Sequence, residues 1–400
     1  MILTDSLLDH AGEMVAIRRD LHAHPELCFQ EIRTAALVAD KLAEWGIPVH
    51  CGLGGTGVVG IVKNGASARA VGLRADMDAL PVTERNTFAH ASQFPGQMHA
   101  CGHDGHVTML LAAARYLACQ RNFDGTVYLI FQPAEEGGGG ACKMIEDGLF
   151  NRFPMDAVFA MHNWPGMKVG QFAVSPGPVM AAANDFEITI HGKGGHAAQP
   201  HAGADPVLAG CALVQAFQGI LSRNKNPLEP GVLSVTMFHA GDKDNIVPDE
   251  ARIAGTVRTF SIETLDLIEQ RMREMAEHLC AAYGVRCASF QFYRNYPPTI
   301  NDTVQADFMR AVMTETFGAQ NVLPQTPAMT AEDFSFMLQA RPGAYAFIGN
   351  GDGLHRLSPH GDGPCLLHNA SYDFNDELIV PGATLWIRLV ERFLAPGPED

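Results

Sequence analysis

Basic residues are scarce in this chain, and their shortage excludes two classes of partner. Only 28 lysines and arginines stand against 44 aspartates and glutamates, so the formal net charge of the 400 residues is -16 with histidine neutral. No stretch of the sequence interleaves basic with aromatic side chains. Nucleic-acid phosphates and an anionic membrane surface would repel a chain of this charge. We therefore expect neither a nucleic acid nor a membrane as partner.

The chain also lacks a disulfide framework, a long apolar run and a leader segment. Its nine cysteines are odd in number and scattered, which indicates a reducing compartment in which most thiols are small buried hydrophobes. No apolar run approaches membrane-spanning length. Residues 1–5 show no basic region followed by an apolar core, so no signal peptide is predicted. The expected location is the cytoplasm.

The chain does contain enough apolar sequence for two packed domains. Hydrophobic residues make up 47% of it and charged residues 18%, and 400 residues exceed the size of one ordinary core. Two N-terminal helices, 5–21 and 32–45, precede an alternation of helices and buried strands. The predicted strands cover 70–74, 125–131, 156–161 and 343–348. Such alternation is typical of an α/β sheet with both faces covered, whose sites form beyond the carboxyl ends of the strands.

The pattern changes between residues 184 and 295. The predicted strands there are 185–191, 232–239, 251–260 and 285–295, and the predicted helices are 203–222 and 261–283. This β-α-β-β-α-β order is that of a ferredoxin-like α+β unit. The sequence therefore predicts an α/β domain made of residues 1–183 and 296–400, with a ferredoxin-like domain, residues 184–295, inserted in it.

Residues 98–106, Met-His-Ala-Cys-Gly-His-Asp-Gly-His, concentrate potential metal donors. Glycines flank His103 and allow a tight turn. Cys101 and His103 are two positions apart and can point at one cation. Apolar residues at helical spacing follow, so we expect a loop that enters a buried helix with Asp104 as its N-cap. A buried thiol beside a capping loop is the alternative interpretation.

Further donors follow the predicted strands. Glu135 and Glu136 follow the strand 125–131 after a Gln-Pro-Ala segment, and His162 ends the strand 156–161. Adjacent carboxylates without a cation repel each other unless one binds a metal or keeps its proton. An acidic surface turn is the alternative for the glutamates. For His162 and for His368, which follows two leucines, the alternative is a hydrogen-bonded core histidine.

Five of these side chains form a donor set that suits two cations. The five are Cys101, His103, Glu136, His162 and His368. They exceed the four ligands of one tetrahedral site and fit two metals that share a bridging ligand. Glu135 is then left as a base for water, and Asp78 can hold a ligand or the base in position. A thiolate favours zinc or cobalt, whereas carboxylate and imidazole also admit manganese or nickel.

Six motifs then occur in a fixed order along nearly the whole chain. They are RADMDALP (74–81), CGHDGH (101–106), PAEEG (133–137), GKGGHAAQPH (192–201), AEDF (331–334) and LHNA (367–370). In these motifs the chain resembles the amidohydrolase branch of the aminoacylase/carboxypeptidase metallopeptidase family, which includes the hippurate hydrolases and N-acyl-amino-acid amidohydrolases. The wider family typically has His-x-Asp where Asp76-Met77-Asp78 stands here. We therefore do not carry a ligand role onto Asp76.

The resemblance implies a metallopeptidase-type catalytic domain with a dinuclear site, the five donors as ligands and Glu135 as general base. It implies hydrolysis of the amide bond of an N-acyl amino acid to a carboxylic acid and a free amino acid. The inserted domain becomes a lid and dimerisation module, so we expect a dimer or a dimer of dimers. His196 would stabilise the oxyanion in a neighbouring subunit's site, and Asn245 and Arg258 would contact the substrate.

Other interpretations stay open at this stage. His196 would otherwise be a turn histidine facing water, and Arg258 a member of a surface ion pair. A dipeptidase or carboxypeptidase is the nearest competing activity. A hydrolase with Cys101 as nucleophile, activated by His103 or His162, belongs to a different class. A non-catalytic metal-binding or ligand-binding dimer is the third class, and the spare carboxylate of Glu135 argues against it.

Overall fold

The structure, a computed structural model, describes residues 3–396. Over that range every helix is too short or too polar to cross a bilayer. The chain divides into two compact units. The first unit contains the residues up to 177, residues 300–326 and the residues from 333 onward, and the second unit contains residues 178–299 and 327–332.

The α-helices of the described residues are α1 (Leu3–Ala23), α2 (Ile32–Glu44), α3 (His103–Gln120), α4 (Gly140–Glu146), α5 (Leu149–Arg152), α6 (Pro206–Gly219), α7 (Ile262–Ala282), α8 (Thr303–Phe317), α9 (Phe334–Ala340) and α10 (Ile379–Phe393). Short 3-10 turns lie at Pro200–Ala202, Ala319–Asn321 and Asp376–Leu378, and a π-helical turn, Ile220–Asn224, extends α6.

The strands are β1 (Val49–Leu53), β2 (Gly57–Asn64), β3 (Ala70–Asp76), β4 (Gly125–Gln132), β5 (Ala157–Pro165), β6 (Phe172–Ala173), β7 (Gly177–Met180), β8 (Ala183–His191), β9 (Gly195–His196), β10 (Gly231–Ala240), β11 (Ile246–Val247), β12 (Glu250–Thr259), β13 (Arg286–Tyr296), β14 (Thr299–Asn301), β15 (Val322–Leu323) and β16 (Gly343–Gly351).

The first unit is built on an eight-stranded mixed sheet with the order β1-β2-β4-β3-β5-β16-β6-β15. The four central strands β4, β3, β5 and β16 run parallel to one another. They are buried along almost their whole length, which explains why the sequence shows apolar runs here and no alternation. Because these strands are parallel, their carboxyl ends meet at one edge of the sheet. The predicted α/β fold is confirmed.

Helix α3 packs with α1 and α10 and belongs to the core of the first unit. Its residues from His103 to Ala114 are all buried, and from Val107 to Ala114 all but Thr108 are apolar, as in a helix that is buried on every side. Each fully buried leucine of this helix contributes about 1.5–3 kcal/mol relative to an exposed one. The helix therefore holds its first residue, His103, firmly in place.

The start of α3 differs from the expectation that Asp104 is its N-cap. Gly102 takes that position with φ 90°, and Asp104 is the second residue of the helix, fully buried in its first turn. Its carboxylate Oδ2 is 3.0 Å from Arg18 Nε and 2.8 Å from His22 Nδ1. A buried arginine attracts the carboxylate away from the backbone, so the capping prediction was wrong.

His22 lies beyond the predicted end of the first helix, 5–21, but α1 continues through Ala23 and the imidazole is fully buried. Burial by itself would lower the pKa of His22, but its contacts with Asp104 and Glu84, at 2.8 and 3.2 Å, raise that pKa to about 9. His22 therefore carries a buried charge in the core and is absent from the candidate metal groups among the described residues.

The second unit contains a four-stranded antiparallel sheet with the order β10-β12-β8-β13. Its helices α6 and α7 pack on this sheet and on each other, around a separate apolar core. Strands and helices follow the β-α-β-β-α-β order of the sequence prediction. The unit begins at residue 178 and includes residues 327–332, which we had expected in the first domain. Its role as a lid or dimerisation module stays a prediction.

Candidate metal centre

Six of the predicted site residues meet at the carboxyl edge of the central sheet in the first unit. Within each of three triads, the ligand atoms lie within 4.8 Å of one another. The triads are Cys101-His103-His162, Cys101-Glu136-His368 and His103-Glu135-Glu136. The triads share members, so the donors form one cluster in which neighbouring cations would have ligands in common. That is the arrangement that a bridged pair of metals requires.

Each donor is carried by a different structural element. Cys101 lies in the loop before α3, His103 is the first residue of that helix, and Glu136 follows β4. His162 lies inside β5, which continues to Pro165, so the predicted strand end at His162 was wrong. His368 lies in the loop after β16 with φ 62°, a conformation that non-glycine residues seldom adopt. Tertiary structure therefore determines where these side chains meet.

The donor set fits a cation on its geometry. Cys101 Sγ is 3.3 Å from His162 Nε2, and Glu136 Oε1 is 3.1 Å from His368 Nε2. Neither ring nitrogen of His103 makes a hydrogen bond of good geometry, although the side chain is fully buried and Asp78 Oδ1 lies 3.3 Å from its Nδ1. A buried polar group left in this state costs about 1–3 kcal/mol. A metal bound to His103 would remove that cost.

The electrostatics of the cluster argue for a metal and against a nucleophilic thiol. Burial, with Glu136, Glu135 and Asp76 nearby, raises the pKa of the Cys101 thiol well above its usual value. Burial and neighbouring imidazoles lower the pKa of His162 well below its usual value. A thiolate-imidazolium pair of Cys101 and His162 is therefore disfavoured as the nucleophile of a cysteine hydrolase. A divalent cation would instead stabilise the thiolate of Cys101 and bind the neutral imidazole of His162.

Asp78 connects three members of the cluster. Its Oδ1 accepts a hydrogen bond from the backbone N–H of Glu135 at 3.0 Å, and its Oδ2 accepts one from that of Glu136 at 2.9 Å. Asp78 Oδ1 also lies 3.3 Å from Nδ1 of His103. Although burial alone would lower the pKa of His103, Asp76 and Asp78 raise it to about 10. One buried carboxylate thus holds the backbone of Glu135 and Glu136 and contacts the ring of His103.

His106 is a residue of this site that sequence reasoning missed. Its Nδ1 is 2.6 Å from Asp76 Oδ1, and its Nε2 accepts a hydrogen bond of 3.0 Å from the backbone N–H of Asn163. The signal was present, because His106 is three residues after His103 and lies on the same face of α3. Burial opposes ionisation of Asp76, yet His103, Arg74 and His106 hold its pKa well below the usual range.

The remaining predicted residues belong to the second unit. His196 in β9 pairs with Ile246 in β11, and the backbone N–H of Ala197 donates to the carbonyl of Asn245 at 3.0 Å. His196 and Asn245 are therefore neighbours, and both are exposed. Arg258 lies on β12, is half-buried, and pairs with Val232 of β10. Their roles toward substrate stay predictions.

Thiol, imidazole and carboxylate donors meet beside a further carboxylate, as a metal-dependent enzyme requires, and the known relatives define the class of the protein as a metal-dependent amidohydrolase. Comparison with known proteins gives the family. Residues 72–392 match the peptidase family M20/M25/M40, and the chain belongs to that family.

Individual relatives cover nearly the whole chain. The hippurate hydrolase of Campylobacter jejuni is 41% identical over 397 residues, which make up 98% of this chain and 100% of that protein. Thermostable carboxypeptidase 1 of Saccharolobus solfataricus is 40% identical over 340 residues, 84% of this chain and 85% of that one. The Bacillus subtilis YXEP protein, a dinuclear metal-binding peptidase, has a TM-score of 0.83 and 30% identity over 96% of this chain and 99% of its own. The predicted family and fold are confirmed.

Proposed function

We propose that the protein hydrolyses the amide bond of N-acyl amino acids, hippurate-like compounds among them, to a carboxylic acid and a free amino acid. The single observation that carries this proposal is the carboxylate of Glu135 beside the donor cluster, in a loop whose backbone is held by Asp78. The similarity to a hippurate hydrolase over the full length supports this substrate class. The similarity to a carboxypeptidase favours peptide cleavage as the second candidate.

The proposed ligands of two divalent cations are Cys101, His103, Glu136, His162 and His368. The overlap of their triads supports this assignment. Zinc or cobalt would suit the thiolate, while manganese and nickel are admitted by the other donors. When bound, the cations would polarise the substrate carbonyl and lower the pKa of a water molecule to about 7.

In the proposed mechanism, Glu135 accepts a proton from the attacking water and later returns it to the departing amine. Asp78 keeps the backbone of Glu135 in place, so the carboxylate stays directed at the cluster. By its family resemblance, His196 of a neighbouring subunit would donate a hydrogen bond to the oxyanion. Arg258 would form paired hydrogen bonds with the substrate carboxylate, and Asn245 would contact the same substrate.

We propose a homodimer, formed through the second unit. Strand β10 is at the edge of the four-stranded sheet among the described residues, and Met237 on it and Leu208 on α6 are exposed by 51% and 57%. Exposed apolar side chains beside a strand edge are typical of an interface. Met237→Lys should shift the mass in solution to that of a monomer, whereas Val304→Lys, at an exposed residue of the first unit, should not.

A cytoplasmic location is proposed from the nine free thiols.

The test of the proposed function combines metal analysis with a substrate panel. The protein is stripped with a chelator, reloaded separately with zinc, cobalt, manganese or nickel, and assayed on benzoyl- and acetyl-amino acids, on dipeptides and on longer peptides. We expect two cations per subunit, no activity without them, and the highest kcat/KM on an N-acyl amino acid. Full activity in the stripped protein would overturn the metal mechanism. A higher kcat/KM on longer peptides would favour the carboxypeptidase activity.

A further inference from the structure

We propose that Glu31 is a positioning residue for catalysis, which directs the general base Glu135 by holding the left-handed backbone of Ala134. The inference rests on the proposed function in one respect, the role of Glu135 as base. Glu31 is the N-cap residue directly before α2 and does not belong to any candidate metal group among residues 3–396. Its effect is therefore separable from metal ligation.

The residue in front of the base, Ala134, has a backbone conformation that alanine seldom adopts. Ala134 has φ 54° and is fully buried. Alanine avoids this region because its Cβ approaches the backbone carbonyl oxygen, and its side chain has no polar group that could compensate locally. The surrounding structure must therefore impose the conformation. Since Glu135 follows directly, the torsion angles of Ala134 determine where the Glu135 side chain points.

Hydrogen bonds to the carboxylate of Glu31 impose this conformation. Glu31 is fully buried, and its Oε1 accepts hydrogen bonds from the backbone N–H of Ala134 at 2.9 Å and of Phe29 at 3.0 Å. Its Oε2 accepts one from Thr56 Oγ1 at 2.6 Å. Three donors from three separate segments engage the two oxygens, so the carboxylate has no freedom to rotate. A hydrogen bond to a charged acceptor is also stronger than one between neutral groups.

Hydrogen bonds to buried carboxylates continue along the loop from Ala134 to Glu136. Strand β4 ends at Gln132, so the backbone N–H groups that follow have no partners in the sheet ladder. Glu31 accepts from residue 134, and Asp78 accepts from Glu135 and Glu136. Three consecutive backbone N–H groups thus end on two buried carboxylates. Glu31 holds the residue before the base, and Asp78 holds the base itself.

Glu31 does not act as an ordinary helix cap. It occupies the N-cap position of α2, yet its side chain makes no capping hydrogen bond. Glu26 performs that function, because its carboxylate accepts from the backbone N–H of Arg33 at 2.9 Å and of Thr34 at 2.8 Å. The two glutamates are therefore a matched pair. Both accept hydrogen bonds from the backbone, but only Glu31 reaches the loop that carries the base.

The experiment compares Glu31→Ala, Glu31→Gln and Glu26→Ala in the metal-loaded full-length protein. It measures kcat and KM on benzoylglycine, metal content by elemental analysis, and amide hydrogen exchange of peptides covering residues 132–141. For Glu31→Ala we expect kcat to fall on the order of 100-fold, as for a misplacement of about 1 Å. KM and two cations per subunit should be retained, and the amides of the loop should exchange faster.

The two other variants separate positioning from stability. Glu31→Gln should recover most of kcat, because its amide oxygen can accept from Ala134 while its NH2 donates to the Thr56 hydroxyl. Glu26→Ala should lower the melting temperature with kcat unchanged. If Glu31→Ala does not fold, Thr56→Val replaces it; this variant leaves the carboxylate in place and should show a smaller loss of kcat with faster exchange of the loop.

Four results would overturn the proposal: wild-type kcat in Glu31→Ala, equal loss of kcat in Glu31→Ala and Glu26→Ala, loss of metal in Glu31→Ala, or unchanged exchange of the loop. Failure of the proposed function has a different signature, namely full activity in Glu135→Gln or no turnover of benzoylglycine by the wild-type protein. In that case the exchange measurement still decides whether Glu31 holds the loop.

Discussion

Replacing Asp78 by asparagine should weaken metal binding and the fold together, because this side chain has three contacts in the cluster. Asp78 is fully buried and accepts from the backbone N–H of Glu135 and of Glu136 through different oxygens. In Asp78→Asn one of those oxygens becomes an NH2 group, which faces a backbone N–H and cannot accept from it. The substitution also removes the negative charge that lies 3.3 Å from His103.

The magnitude follows from these contacts. A hydrogen bond to a charged group contributes about 1.5–3 kcal/mol, and one of the two is lost. We therefore expect the free energy of unfolding of the metal-free protein to fall by about 1.5–3 kcal/mol. Loss of an outer partner of a metal ligand typically costs about 10- to 100-fold in metal affinity, and we expect a loss in this range for the site at His103 and Glu136.

The assay uses urea unfolding of the metal-free protein and competition titration against a chromogenic chelator. Asp124→Asn is the matched control, because Asp124 also accepts a backbone N–H, that of Ser67 at 2.8 Å, and is not in a candidate metal group of the described chain. The control should leave metal affinity unchanged. If Asp78→Asn folds and binds both cations as tightly as the wild type, Asp78 does not position the ligands and the reasoning is refuted.

Three further predictions concern the base, a glycine and a buried charge. Glu135→Gln should lower kcat by about 10²- to 10⁴-fold with both cations retained, as measured by steady-state assay and elemental analysis; loss of metal would instead make Glu135 a ligand. Gly102→Ala should abolish metal binding, because at φ 90° its Cβ would lie 2.4 Å from Asn163 Nδ2, whereas Gly96→Ala, at φ 85° with open space around it, should bind metal normally. The pKa of His22 is raised to about 9, since buried carboxylates outweigh burial. The contribution of charged His22 to the free energy of unfolding is thus complete below pH 6.5, the ordinary imidazole pKa, and is lost as the pH rises through about 9. Melting of the metal-free protein should follow this profile, and an unchanged profile in His22→Gln would contradict it.

Local patterns predicted much of the catalytic unit. The apolar run at 125–131 became β4, Gly125–Gln132, because a strand buried on both faces must be apolar throughout. Glu135 and Glu136 follow that strand, and Asp78 follows β3, which runs parallel to it. The general rule that parallel strands end at one edge was enough to bring these carboxylates together.

Other features could not be predicted, because they depend on partners remote in sequence. Asp104 is not an N-cap since Arg18, from the first helix, attracts its carboxylate. His106 was given no role of its own from the sequence, yet Asp76 Oδ1 lies 2.6 Å from its Nδ1. Glu31 carried no signal in the sequence, yet its carboxylate accepts a hydrogen bond from the backbone N–H of Ala134. In each case the partner of a buried polar side chain lies far away in the sequence, so the spacing of residues along the chain does not identify it.

The sequence by itself determined the types of donor, their order, and the elements that carry them, because residue chemistry and hydrophobic periodicity are local properties. Only the tertiary structure decided which donors meet and which carboxylates act as supports. Cys101, Glu136, His162 and His368 come from separate segments, and their meeting depends on the order and direction of strands in the sheet. Backbone torsions such as that of Ala134 are likewise set by distant hydrogen bonds, because alanine alone would not adopt them.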